Sequence, residues 1–198
     1  MGAVRLEKAQ AGLAGRIVLA VAWRPFEIHP EVPTAGMPLS DLGYDASELA
    51  AAMKHLRRQA AAEGIEFAPR SPESLLANTH RALAASAIVQ REDPERFETF
   101  HRALFHAGFG ELQDIGDPSV LQRIAAGQGI DAAHLDDALA AGVGETLLRQ
   151  ATDEAHRRGI TAVPAFVFGG REIVVGAQPA EVLRRAARRA VARSSPPA

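Results

Sequence analysis

Thiol chemistry is closed to this chain, because its 198 residues include no cysteine. Structural disulfides, thiolate metal sites and dithiol exchange all need a sulfur that the sequence does not supply. Seven histidines remain as the other reactive class. Glu98-x-x-His101 places a carboxylate and an imidazole on one helix face, a pair that di-iron bundles use, but they need it twice and with further glutamates. Asp131-x-x-His134 is not a second copy. His101 and His106 are five apart and diverge around a helix. These residues read as solvated helix-face groups, and neither a metal nor any other cofactor is expected. Gly127-Gln-Gly-Ile-Asp-Ala132 has the glycines of a dinucleotide loop but follows a helix, so it reads as a helix–helix turn. There is no Walker loop, no Gly-x-Ser-x-Gly elbow, and no serine paired with His and Asp.

Binding chemistry has more candidates. Thr161-Ala-Val-Pro164 precedes an apolar stretch, and its proline can start an edge strand. Gly176-Ala-Gln-Pro179 precedes a helix, where free N–H groups could hold an anion or Pro179 could simply open the first turn, the reading preferred here. Arg184, Arg185, Arg188, Arg189 and Arg193 read as a solvated face that complements a helix dipole. Phe97, Phe100, Leu104, Phe105 and Phe109 form a helically spaced stripe expected in a core. A net charge of −2 argues against nucleic acid or an anionic membrane as partner.

These residues must be positioned by a chain that is 47% hydrophobic and 23% charged, the usual globular mixture. Val4–Ala14 reads as a helix with Leu6, Ala9 and Leu13 on one face. Ile17–Trp23 is apolar on both alternating sets, the pattern of a strand covered on both sides. Residues 27–45, rich in Pro and Gly, read as a long loop. Asp45-Ala-Ser-Glu48 is a capping box opening a helix to Gly64, with Leu49, Met53, Leu56 and Ala60 in its stripe. Asp93-Pro94 and Asp117-Pro118 pair an N-cap with proline at the first helical position. Ser71-Pro72 and Asn78 compete to start another helix. Further helices are expected near Asp131 and from Gly144 to Arg158, with no strand between Ser71 and Arg158. Ala165–Phe168, Gly169-Gly170 and Arg171–Val175 predict a hairpin with a two-residue turn. A helix from Pro179 to Val191 follows, then a disordered tail, 194–198. No leader or membrane-spanning run is visible, so a cytoplasmic protein is expected.

Four stretches together resemble the DsbA-like thioredoxin family, in particular its FrnE-type branch. They are Trp23-Arg-Pro-Phe-Glu-Ile-His-Pro30; Asn78-Thr-His-Arg-Ala-Leu83; Phe100-His-Arg-Ala-Leu-Phe105 with Asp114-Ile-Gly-Asp-Pro118; and Gly159-Ile-Thr-Ala-Val-Pro-Ala-Phe166 with Gly176-Ala-Gln-Pro179. The resemblance implies an α/β, thioredoxin-like fold, residues 1–64 with 159–193, carrying an inserted helical subdomain at 65–158. It implies a cis Val163–Pro164 bond in a loop that offers its backbone to an extended peptide or thiol substrate. It also places a first, central strand and a Cys-x-x-Cys motif just before the helix of Arg5–Ala9, where this sequence has only Met1-Gly2-Ala3. The expectation is therefore that the first central strand is missing, through either a displaced or truncated start, the preferred explanation, or natural loss of the motif. The strands flanking that gap would be left unpaired, so the chain alone is expected to be poorly stable, or to re-pair, dimerise or recruit another segment.

The implied activity is thiol–disulfide exchange of the DsbA/FrnE type, redox-inactive in this cysteine-free chain, with Val163 and Pro164 as substrate-binding residues and no catalytic residue assigned. The implied partner is a protein or small thiol/disulfide substrate, with a homodimer among the arrangements considered. The alternatives are a glutathione-dependent isomerase of the 2-hydroxychromene-2-carboxylate isomerase type and a non-catalytic peptide-binding protein.

Overall fold

The computed structural model describes residues 1–193; the tail at 194–198 lies outside the described residues. In chain order these form α1 (Gly2–Ala11), β1 (Met37–Pro38), a 3-10 turn (Leu39–Leu42), α2 (Ala46–Ala62), β2 (Leu75–Leu76), α3 (His80–Glu92), α4 (Pro94–Phe105), a π-helical turn (His106–Gly110), α5 (Pro118–Gly127), α6 (Ala132–Ala140), α7 (Val143–Arg157), β3 (Ala165–Phe168), β4 (Glu172–Val175) and α8 (Ala180–Ala192). None of these helices is long and apolar enough to cross a membrane. The chain divides into two compact units, one of Met1–Ala22 with the stretch from Ala155 onward, the other of Trp23–Glu154.

The larger unit is helical, and its helices begin where aspartate can bond the free N–H groups of a first turn. Asp117 Oδ1 accepts from Ser119 N at 2.7 Å and Val120 N at 3.2 Å. Asp131 Oδ1 accepts from Ala133 N and His134 N, both at 3.0 Å. Asp45 caps α2 in the same way, and Asp93 caps α4. At α3 Asn78 prevails over Ser71: its Oδ1 accepts from His80 N at 3.0 Å while its Nδ2 donates to Val32 O at 2.6 Å. The core gathers Ala85, Ile88 and Val89 of α3, Phe97, Phe100 and Leu104 of α4, Leu121 of α5 and Leu135 of α6. On α2 only Ala60 of the expected stripe is buried, and Leu56 is exposed.

One expectation changes in this unit. Leu75–Leu76 is a two-residue strand inside the region expected to have none, pairing antiparallel with Met37–Pro38. Two residues are too short to show alternation in the sequence, and only their partner makes them a strand. That ladder, with the Asn78–Val32 bond, ties the long loop to the helices within the larger unit.

In the smaller unit β3 and β4 form an antiparallel hairpin with Ala165 opposite Val175 and Phe168 opposite Glu172. The connection is three residues, Gly169-Gly170-Arg171, rather than two, with both glycines at positive φ. Leu6, Ala9 and Leu13 from α1 and beyond pack with Phe168, Val174, Leu183, Ala186 and Ala187. Ile17–Trp23, expected to be a buried strand, is not one. Ile17 and Leu19 lean on this core, but Val18 is 95% exposed and Ala20–Ala22 are exposed as well. A strand exists only where a neighbour takes up its N–H and C=O groups, and no described residue forms a ladder with this segment.

Candidate functional site

The Val163–Pro164 peptide bond is cis. Pro164 O accepts a hydrogen bond from Gly176 N at 2.7 Å, which fastens the loop to the end of β4. The first turn of α1 presses on the other side: a Cβ on Gly2 would stand 2.7 Å from Pro164 Cβ, so only glycine allows this approach. Val163 itself is 42% exposed and precedes the first ladder pair, Ala165 with Val175. Its backbone N–H and C=O make no hydrogen bond among the described residues. An exposed donor and acceptor at a strand's entrance can pair with an extended chain. The Gly176–Pro179 stretch is occupied internally, since Gln178 N donates to Gly176 O at 2.8 Å and the Arg5 guanidinium donates to Ala177 O. Pro179 stands at the N-cap of α8, immediately before its first residue.

The histidine pairs do not converge. Glu98 accepts from Arg102 at 2.9 Å, Asp131 caps α6, and His134 Nε2 meets Glu92 at 3.0 Å. Gly127–Ala132 is the expected helix–helix turn, with Gly129 at φ +72°. Of the last helix's arginines, Arg184 pairs with Glu181 and Arg189 with Glu172. The phenylalanine stripe splits: Phe97, Phe100 and Leu104 are buried, whereas Phe105 and Phe109 are each more than two-fifths exposed.

The model of the DSBA-like thioredoxin domain matches residues 1–188. The chain belongs to that family. A crystal structure of a probable DsbA oxidoreductase from Streptomyces coelicolor superposes with a TM-score of 0.87 at 28% identity, covering 100% of this chain and 86% of that one. Protein YwbO of Bacillus subtilis is 28% identical over 169 residues, 84% of this chain and 80% of that protein. A solved structure from Nitrosomonas europaea shares the fold at 18% identity, with a TM-score of 0.66 over 77% of this chain. The α/β thioredoxin-like fold with an inserted helical subdomain is thus the fold of a DsbA-family chain. The oxidoreductase chemistry of such a chain runs through cysteine, and this sequence has none.

Within this DsbA-family chain, two features escaped the sequence reading. His80 bridges two carboxylates, Nδ1 to Glu27 at 3.0 Å and Nε2 to Glu145 at 2.6 Å. The Glu27 bond, aided by Glu145, raises the histidine above its ordinary value. With both ring nitrogens facing carboxylates, it clamps the loop, α3 and α7 together and is not a free base. Glu27 and His80 both lie in the stretches that carry the family resemblance, but nothing in their spacing pairs them. The second feature is His101, whose ring lies 4.5 Å from Trp23, 4.6 Å from Phe105 and 5.2 Å from Phe97. Its Nε2 is buried without a partner among the described residues. Burial, helped by the nearby Arg102, pushes its pKa down to about 4. It is a neutral core ring at neutral pH, and only the tertiary packing shows it.

Proposed function

We propose that the chain is the substrate-binding body of a DsbA-type thiol–disulfide oxidoreductase of the FrnE branch, working in the cytoplasm and holding extended polypeptide or small disulfide substrates at Val163. The observation that carries this reading is the exposed, unpaired backbone of Val163 between the first turn of α1 and the entrance of β3. The chain supplies no thiolate, so it binds substrate without exchanging disulfides. Fluorescence anisotropy with a labelled, unfolded, disulfide-containing peptide tests the proposal. Val163→Glu, at an exposed position that leaves the core intact, is expected to weaken binding about tenfold. The same chain is expected to show no insulin reduction with dithiothreitol above the uncatalysed rate. Peptide binding unaffected by Val163→Glu, or turnover of insulin, would overturn the proposal.

A further inference from the structure

A cleft of about 450 Å³ opens in the helical unit, away from Val163 and independent of the reading above. Its origin is the packing of α3 against α7. Gly144 lies so close to α3 that a Cβ there would stand 2.8 Å from the Ala84 side chain. Further along both helices the same faces line open space, Ala87, Gln90 and Arg91 on one and Leu147, Gln150, Ala151 and Glu154 on the other. Trp23, Arg24 and Pro25 close the cleft. The volume falls in the range of small-ligand sites, and half of the lining residues are apolar.

The lining has three kinds of recognition chemistry. Trp23 packs against His101 and also lines the cleft, so its indole is held in place as a platform for a flat ring. Gln90 and Gln150 carry amides that both donate and accept, and neither has a hydrogen-bond partner among the described residues. Arg24 makes no ion pair among the described residues, while Arg91 is shared with Glu92. The lining thus holds one guanidinium with no ion-pair partner among the described residues, Arg24, with the paired Arg91 beside it and the carboxylate of Glu154. A bare aromatic acid would leave the amides unused, and a bare phosphate would leave the indole unused. We propose that this cleft binds a nucleoside monophosphate, with the base on Trp23 and bonded at its edge by Gln90 and Gln150, and the phosphate on Arg24 and Arg91.

Trp23 is the only tryptophan in the chain, so its emission reads the cleft directly. At pH 7.5, where His101 is neutral, the full chain is titrated with AMP, GMP, CMP and UMP, and calorimetry repeats each titration. Saturable binding of at least one mononucleotide is expected. Its nucleoside and ribose 5-phosphate should each bind about tenfold more weakly, as should the mononucleotide to Arg24→Gln; Gln150→Ala should cost a few-fold. Arg24 and Gln150 are exposed, so these variants leave the fold intact. No saturable signal by either method would overturn the proposal. So would equal binding of nucleoside and nucleotide, equal binding of benzoate, or unchanged affinity in Arg24→Gln. Peptide binding at Val163 is measured separately and is unaffected by any of these results.

Discussion

The helical unit and the smaller α/β unit bury apolar residues of the same kinds, yet one closes its backbone accounts and the other does not. In the helical unit, capped helices satisfy their own N–H groups, and Phe100, Ile88 and Leu121 are all but sealed from solvent. In the smaller unit Leu13 and Leu183 are sealed just as well, but among the described residues the sheet is β3 and β4 alone, and the apolar run from Ile17 to Ala22 has no ladder. A helix completes its hydrogen bonds within one segment, whereas a strand depends on a second one. Burial alone therefore does not make an apolar run into a strand.

The largest test of this contrast is in the cores. Phe100→Ala is expected to lose about 3–5 kcal/mol in urea unfolding followed by circular dichroism. Leu183→Ala, equally buried in the smaller unit, should lose about 2–5 kcal/mol. A loss below about 1 kcal/mol for either would mean that its unit is loosely packed in solution.

Acid distinguishes the helical core next. The pKa of His101, about 4 in the folded chain, lies below its ordinary 6.5. Between those values the unfolded chain binds more protons, so stability falls as pH drops from 6.5 to 4, by about 3 kcal/mol. His80 has the opposite sign: its raised pKa adds stability that is fully present below about pH 6.5 and lost as pH rises through the folded value. His101→Phe should flatten the acid-side loss. Trp23 emission, quenched when its neighbour charges, should titrate near pH 4 in the parent chain, and a midpoint near 6.5 would show the ring to be solvated.

Smaller effects follow. Asp117→Ala removes the cap from α5 and should cost about 1 kcal/mol by thermal melting, with no change if water replaces the carboxylate at no loss. Val18→Lys should change stability by less than about 0.5 kcal/mol, because the side chain is already in water. A loss well above that would show that the 17–22 segment is paired in solution, and would erase the contrast between the units.

Local rules decided much of this molecule from sequence alone. The Asp-Pro starts of α4 and α5, the Asp131 cap, the helix–helix turn at Gly129, the hairpin and α8 each rest on contacts within a few residues, so composition and spacing reveal them. The loop of Val163 and Pro164 was singled out only by the family resemblance, since nothing in its local spacing marks it. Non-local contacts decided the rest. Whether Ile17–Ala22 became a strand depended on a partner that the run itself cannot specify, and β2 became one because Met37–Pro38 met it. The His80 clamp joins residues 53 and 65 positions apart, the aromatic cage of His101 brings Trp23 to α4, and the nucleotide-sized cleft arises where α3 and α7 part beyond Gly144. The sequence determined which segments could satisfy their own backbone and where charge and apolar surface fall along them. Only the tertiary structure decided which distant groups meet, because that depends on how closely whole elements pack.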